Sequence, residues 1–274
     1  MAFIELQNVS FEYPGGFLAV DDIDIRIEQG ENVAIAGQNG AGKTTAVKMC
    51  NGLLRPTKGN VIVDGINSKE RTTAEISRVV GYVFQNPDDQ IFHSTVLSEV
   101  EFGPKMMKMP AEKAKALIDY ALRATGMYEL RDENPYNLPL SVRKFVTIAS
   151  IIAMDTKALI FDEPTAGQDL NGTIRLRNIL GELREKGKTL VTITHDMEFV
   201  ADNFSRLIVM ANKKVVADGS PKEIFWDFPT LLKAKLKQPY VSRICNTLSI
   251  GSNVISMDDA VSAVKDGMAA HDSA

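Results

Sequence analysis

Short apolar runs recur along the chain and predict β-strands. They cover residues 3–9, 22–28, 32–36, 60–64, 79–84, 158–162, 189–194, 206–211 and 213–217. Helical periodicity follows two of the later runs, over roughly 170–186 and 196–203. Strands that alternate with helices at this spacing are typical of βαβ units, so we predict an α/β fold with parallel strands.

The strand pattern stops between about residues 86 and 156, where helices are predicted instead. Residues 111–125 and 138–154 carry the helical pattern. We interpret this stretch as a helical lobe inserted into the α/β core.

The pattern changes again after Pro221, where short helices are predicted. The residues that interrupt them are Pro229, Pro239 and Gly251. We therefore divide the chain into a domain over 1–220, with its helical subdomain at about 86–156, and a helical extension over 221–274. The small and polar end, 267–274, is expected to be frayed.

Composition and charge indicate a globular protein and argue against several other classes. Apolar residues make up 45% of the 274 residues and charged residues 24%, which is enough to form a substantial core and argues against global disorder. The net charge of −4 comes without a basic block, so a nucleic-acid surface is not expected. Cys50 and Cys245 are far apart and suit a reducing cytosol. The chain lacks a signal-peptide pattern and a run of about 18 apolar residues, so we expect a cytosolic protein that can dock on a membrane protein.

The most specific motif is the segment Gly37-Gln-Asn-Gly-Ala-Gly-Lys43-Thr44, which matches GxxxxGK[ST] without a gap. A buried-strand pattern precedes it and a helical stretch follows it, which is the context of a phosphate-binding loop rather than of a chance glycine turn. Glycines let backbone N–H groups surround phosphate oxygens, and the helix N-terminus adds partial positive charge. We expect Lys43 to contact the β- and γ-phosphates and the Thr44 hydroxyl to hold Mg²⁺.

Two carboxylates stand at the end of the apolar run 158–162. Downstream of a phosphate-binding loop, such a strand typically places an Asp on Mg²⁺, which would be Asp162. Glu163 would then be the general base that activates the attacking water. The alternative is an acidic pair that caps the end of a strand.

Three further side chains each allow two interpretations. His195 follows a strand, and it either bonds the γ-phosphate and orients the water or is a satisfied histidine at a turn with Asp196 as N-cap. Gln85 either is a solvated loop residue or senses Mg²⁺ and γ-phosphate at the hinge to the helical lobe. Tyr13 either packs beside a turn or stacks on a nucleobase.

Over residues 3–220 the motifs resemble, in order, those of the nucleotide-binding subunit of ABC transporters. The loop 37–44 resembles the Walker A loop, Asp162 and Glu163 the Walker B pair, and 165–169 the D-loop. Gln85, His195 and Tyr13 resemble, respectively, the Q-loop glutamine, the switch histidine and the adenine-stacking aromatic residue.

This resemblance implies a P-loop NTPase (RecA-like) core with an N-terminal antiparallel β subdomain, an inserted α-helical subdomain and a short helical C-terminal extension. It also implies that ATP and Mg²⁺ bind. The expected catalytic residues are Glu163, His195 and Gln85, and the expected metal ligands are Thr44, Gln85 and Asp162. The expected nucleotide contacts are Tyr13, Gly37, Asn39, Gly40, Ala41, Gly42, Lys43, Thr44 and Thr45.

Two segments, 85–104 and 219–239, are similar to those of energy-coupling-factor (ECF) transporter ATPases. In that class two ATPase subunits pair with a transmembrane coupling protein and a substrate-capture membrane protein, which import vitamins or transition-metal ions. The resemblance implies these partners and a peripheral position on the cytoplasmic face of the cell membrane. We expect residues 86–104, with the methionine-rich run 106–109, to dock on the membrane subunit, although these methionines would equally well fill the core of the lobe.

One motif departs from the family. The resemblance places the ABC signature LSGGQ about 24 residues before Asp162, at Leu138-Pro139-Leu140-Ser141-Val142, where only the first residue matches. In an ABC dimer this stretch faces the ATP of the partner. Pro139 has no N–H to donate, and Leu140 adds bulk where glycine permits close approach. A proline is tolerated in the first turn of a helix, so the helix itself is expected to form. We therefore expect an asymmetric heterodimer, unless the stretch has no role at the dimer interface.

Three other functions remain open at this point. The chain could be the ATPase of another ABC importer or of an exporter. It could be a soluble ABC protein that acts on ribosomes or DNA, although such proteins usually carry two ABC domains or a long coiled coil. It could be a non-catalytic structural partner, against which the intact residues Lys43, Glu163 and His195 argue.

Overall fold

The computed structural model describes residues 2–272, with side chains as far as residue 265. The strands are β1 (Ile4–Tyr13), β2 (Phe17–Ile27), β3 (Asn32–Ala36), β4 (Lys58–Val63), β5 (Ile66–Asn67), β6 (Val80–Val83), β7 (Ala158–Asp162), β8 (Thr189–Ile193), β9 (Arg206–Ala211) and β10 (Lys214–Gly219). The α-helices are α1 (Lys43–Cys50), α2 (Thr73–Ser77), α3 (Val96–Met106), α4 (Ala111–Ala124), α5 (Leu140–Ala153), α6 (Leu170–Glu185), α7 (Met197–Asn203), α8 (Pro221–Ile224), α9 (Phe228–Ala234), α10 (Tyr240–Leu248) and α11 (Met257–Asp272).

Six strands form the central sheet in the order β10-β9-β3-β8-β7-β6. From β9 to β6 neighbouring strands run parallel, and β10 pairs antiparallel with β9 at the edge. β3, β7 and β8 are buried along their whole length, as is typical of parallel strands covered by helices on both faces. The predicted α/β fold with parallel strands is confirmed.

A second sheet of four antiparallel strands, in the order β2-β1-β4-β5, forms the N-terminal subdomain that the family resemblance implied. Its apolar face shares one core cluster with α1 and the central sheet, in which Ile4, Ile35 and Val47 are fully buried. β2 begins at Phe17 rather than near residue 22, because Phe17 pairs with Tyr13 across a tight turn.

The stretch between β6 and β7 contains only helical elements, as predicted. α4 and α5 match the two predicted helices closely. α3 was not predicted, because Gly103 and Pro104 lie in its last turn and are poor helix residues. Its start is fixed by a capping box, in which Thr95 and Ser98 bond to each other's backbone N–H groups.

The C-terminal helices pack on the central domain. Phe225, Leu231 and Ile255 belong to the same core cluster as the helical lobe and one face of the sheet. The backbone of α11 is helical as far as Asp272, and the last two residues of the segment expected to be frayed lie outside the described residues. Within residues 2–272, every helix is too short or too polar to cross a membrane.

The loop that follows β3 depends on glycine at specific positions. At Gly37 φ is +148°, and an added Cβ would lie 2.0 Å from the Met210 carbonyl oxygen. At Gly40 φ is +78°, and an added Cβ would have no neighbour within 4 Å.

These two glycines give a matched pair of variants. Gly40→Ala should cost about 1–2 kcal/mol of unfolding free energy, because only the left-handed backbone is disfavoured. Gly37→Ala should cost more, since overpacking adds about 1–3 kcal/mol. Thermal or urea unfolding measures both, and an equal loss of stability would contradict the close approach of Gly37 to β9.

Candidate active site

The carboxyl ends of β3, β8 and β7 meet at one edge of the central sheet. Ile193 at the end of β8 pairs with Ile35 of β3 on one side and with Asp162 of β7 on the other. The glycine loop follows β3, Glu163 follows β7 and His195 follows β8, so the register places all three side by side.

The glycine loop closes around the side chain of Lys43. Its Nζ donates to the carbonyl oxygens of Gly37, at 2.7 Å, and Gln38, at 3.2 Å. Burial lowers the pKa of Lys43, while Glu163 and Asp162 act in the opposite direction. Gly42 precedes α1 at φ +99°, where a Cβ would lie 2.5 Å from the Ala19 carbonyl oxygen, so this position also requires glycine.

A cavity of about 580 Å³ lies against this edge. Its lining is Asn39, Gly40, Ala41, Gly42, Lys43, Thr44, Thr45, Gln85, Glu163, Thr165, Ala166, His195 and Asp196. It therefore brings together most of the nucleotide contacts expected from the sequence and all three expected catalytic residues. The remaining expected residues contact this loop or belong to it: Gly37 begins it, Asp162 accepts from Thr44, and the Tyr13 hydroxyl lies near the Thr45 hydroxyl.

Asp162 is buried and has a hydrogen-bond partner for each oxygen. Oδ1 accepts from the Thr44 hydroxyl at 3.4 Å, and Oδ2 accepts from the Tyr82 hydroxyl at 2.7 Å. Burial, with Asp162 as the next cause, raises the pKa of Tyr82, so its hydroxyl stays a donor. The carboxylate is thus held with one oxygen toward the start of α1.

Glu163 and His195 form a close pair at the cavity. Nε2 of His195 lies 3.0 Å from Oε1 of Glu163 and 3.4 Å from Nζ of Lys43. Burial raises the pKa of Glu163 to about 7, and burial together with Lys43 lowers the pKa of His195. Asp196 also caps α7 by accepting from the Phe199 N–H, as the turn interpretation of this segment predicted.

Gln85 and Tyr13 occupy the margins of the site. Gln85 is exposed and lines the cavity at the point where the chain leaves β6 for the helical lobe. Tyr13 is partly exposed, and its hydroxyl lies 3.2 Å from the Thr45 hydroxyl. Its ring stacks edge-on against Phe11.

A comparison with protein-family models identifies the family of the chain. The family model described as "ABC transporter" matches residues 20–166, more than half of the chain. The chain belongs to the ABC transporter ATPase family. As an ABC ATPase it binds and hydrolyses ATP.

Individual relatives agree with this assignment. The chain is 38% identical to the energy-coupling factor transporter ATP-binding protein EcfA of Methanocaldococcus jannaschii over 93% of its own length and 92% of that protein. CbiO1 from Clostridium perfringens, part of the ABC transporter complex CbiONQ, shares 32% identity and a TM-score of 0.75 over 91% of this chain and 99% of its own. The ATP-binding cassette MJ0796, in a post-hydrolysis dimer bound to ADP and Pi, shares 26% identity and a TM-score of 0.72 over 80% of this chain and 98% of its own.

The segment at the ABC signature position starts helix α5. Pro139 is the N-cap and has no side-chain capping bond, and its carbonyl accepts from the Arg143 N–H at 2.8 Å. Leu140 is 56% exposed, so its side chain projects from the surface at the position where the resemblance to the family predicted a glycine. The helix forms despite the proline, as expected.

Three residues behind the site were not found from the sequence. Tyr82 supports Asp162, as described above. Gln90 accepts from the Phe84 N–H and donates to the Thr147 carbonyl, which ties the chain after Gln85 to α5. Lys144 of α5 donates to two carbonyls at the end of β7. Little in the sequence indicated this role of Lys144, because the neighbouring Arg143 carries the same charge in the same helix.

The position of Lys43 in the glycine loop leads to a first functional prediction. Lys43→Ala should weaken ATP binding roughly 10-fold to 150-fold, which corresponds to the loss of about 1.5–3 kcal/mol from hydrogen bonds of a charged group. Lys48→Ala on the same helix α1 is the control, because its Nζ lies over the Phe84 ring instead. Titration with a fluorescent ATP analogue measures both, and normal affinity in a folded Lys43→Ala protein would overturn the site.

Proposed function

We propose that this ABC ATPase powers an ECF-class importer of a vitamin or transition-metal ion, as one half of an asymmetric ATPase heterodimer. The relatives named EcfA and CbiO1 support the class, because both match nearly the whole chain. The observation that supports asymmetry is the combination of a complete Walker site with an altered signature in one chain. The other partners would be a transmembrane coupling protein and a substrate-capture membrane protein, with this chain peripheral on the cytoplasmic face.

In the proposed site the loop 37–44 surrounds the phosphates, and Lys43 contacts the β- and γ-phosphates. The oxygens of Thr44 and Asp162 lie 3.4 Å apart and are hard donors of the kind that Mg²⁺ prefers, so these residues fit the ion. Gln85 would complete the set from the edge of the cavity. When bound, Mg²⁺ neutralises charge on the β- and γ-phosphate oxygens. The half-exposed ring of Tyr13 would stack on the adenine.

Glu163 is the proposed general base. A base works best when its pKa lies near the operating pH, and burial raises the pKa of Glu163 to about 7. The carboxylate would take a proton from the attacking water while His195, within 3.0 Å of it, orients the water and the γ-phosphate. Thr165 and Ala166 line this side of the cavity.

The signature segment of this chain would face the ATP bound by its partner and would contribute little to the hydrolysis of that ATP. Pro139 lacks the N–H that would reach the γ-phosphate, and the exposed Leu140 side chain stands in the way of close approach. Removal of one preorganised donor costs about 10²–10³ in kcat. With a partner that carries LSGGQ, only the site containing this chain's Glu163 would turn over quickly.

The asymmetry is tested by matched base substitutions. Glu163→Gln should lower the steady-state ATPase rate of the assembled complex by at least about 10², the lower value typical of general-base catalysis. The equivalent substitution in the second ATPase should lower it much less. ATPase assays on the purified complex measure both, and equal sensitivity to the two substitutions, or robust activity of this chain alone, would contradict the proposal.

The proposed docking surface lies on the helical lobe. Phe92, Phe102 and Met106 are exposed, and the rings of Phe92 and Phe102 meet edge to face at 4.8 Å. Ile91 does not belong to this surface: it is 3% exposed and lies in the main core cluster, so a charge there would disrupt the lobe itself. Exposed aromatic and methionine side chains are typical of interface anchors.

Phe92→Glu should therefore weaken binding to the membrane subunit by roughly 30-fold, which corresponds to about 2 kcal/mol for an anchoring aromatic residue. ATP affinity should stay unchanged. Leu53→Glu, at an exposed leucine in the turn after α1, is the control. Binding to the detergent-solubilised membrane subunit measures the effect, and normal assembly of the Phe92→Glu protein would refute this surface.

A further inference from the structure

Helix α5 carries a lysine that is almost completely buried. Lys144 is 4% exposed, in the second turn of the helix, and its Nζ donates to the carbonyl oxygens of Glu163 and Ala166, both at 2.9 Å. Burial of a charge without compensation is very costly, so a buried lysine needs such partners. Burial lowers the pKa of Lys144, and the carboxylates of Glu163 and Asp162 oppose this effect.

The two carbonyls belong to the turn that presents the Glu163 side chain. Glu163 has a left-handed backbone, at φ +51°, which is unfavourable for a residue with a Cβ. Its N–H donates to the Ile193 carbonyl at 2.9 Å, and its own carbonyl also accepts from the Ala166 N–H at 3.3 Å. The turn is therefore bonded to β8 through the Glu163 N–H and to α5 through the carbonyls that accept from Lys144.

A second bond joins the same helix to the same segment. Nε2 of Gln168 donates to the Ser141 carbonyl at 3.0 Å, in the first turn of α5. The start of α5 and residues 163–168 are thus connected at two points, and the connection runs from the signature position to the residue beside Asp162.

We propose that Lys144 is a positioning residue for Glu163, and that through it the position of α5 sets the orientation of the catalytic carboxylate in the same chain. This inference rests on the proposed role of Glu163 as general base. Helix α5 would then have a function that does not depend on the signature sequence. Its first residues would contact the partner's ATP poorly, but Lys144 would still position Glu163 in this chain's own site.

Lys144→Met tests the proposal in the assembled complex. We expect kcat to fall about 10²-fold, the cost of a small misplacement of a catalytic group, with KM for ATP little changed because the phosphate contacts remain. The glutamine of Lys144→Gln is shorter than lysine and neutral but keeps an N–H donor, so the kcat of this variant should lie between those of the unmodified protein and Lys144→Met. The matched control is Lys188→Met, because Lys188 also donates to backbone carbonyls, those of Asp155 and Thr156, but away from the cavity. It should lower stability and leave kcat unchanged.

Hydrogen–deuterium exchange on the isolated chain provides a readout that does not depend on catalysis. Lys144→Met should accelerate exchange in a peptide covering 163–168, and Lys188→Met should not. Unchanged exchange in the 163–168 peptide of Lys144→Met would overturn the proposal. A normal kcat for Lys144→Met would also overturn it, provided that Glu163→Gln inactivates the same complex. If Glu163→Gln itself leaves activity intact, the proposed function fails instead, while the exchange result still decides whether Lys144 holds this segment.

Discussion

The parallel register of β3, β8 and β7 is the constraint on which the active site depends. Because Ile193 pairs with both Ile35 and Asp162, the ends of three strands lie level at one edge of the sheet. A slip of one residue in β7 would turn Asp162 to the other face and separate it from Thr44. The strands are buried on both faces, so packing of their apolar side chains specifies this register strongly.

The same edge concentrates buried charge, which the fold balances. Lys43 and Lys144 are buried beside Asp162 and Glu163, and each lysine donates to backbone carbonyls in addition. Two cations and two anions in one place limit the desolvation cost that any one of them would incur alone. Part of the desolvation cost remains, because burial raises the pKa of Glu163 to about 7. Stability and the proposed chemistry therefore depend on the same arrangement of charges.

Local patterns predicted the sheet, the glycine loop and the residues at the strand ends, because strand, loop and helix follow one another in the chain. Contacts between distant residues were not predictable in this way. Tyr82 lies 80 residues from Asp162, and Lys144 19 from Glu163, and only the folded chain brings each pair together. Not every apolar residue of the expected docking segment is at the surface, because apolarity alone does not distinguish Ile91, which is buried, from Phe92, which is exposed.

A complete Walker site and an altered signature segment stand in a single polypeptide. In the proposed heterodimer, only one of the two bound ATP molecules is therefore hydrolysed quickly. The most direct measurement is a single-turnover experiment, in which the purified heterodimer is loaded with two radiolabelled ATP molecules and quenched over time. We expect rapid formation of one ADP per complex, with the second ATP retained. Rapid conversion of both, with equal rate constants, would contradict this expectation.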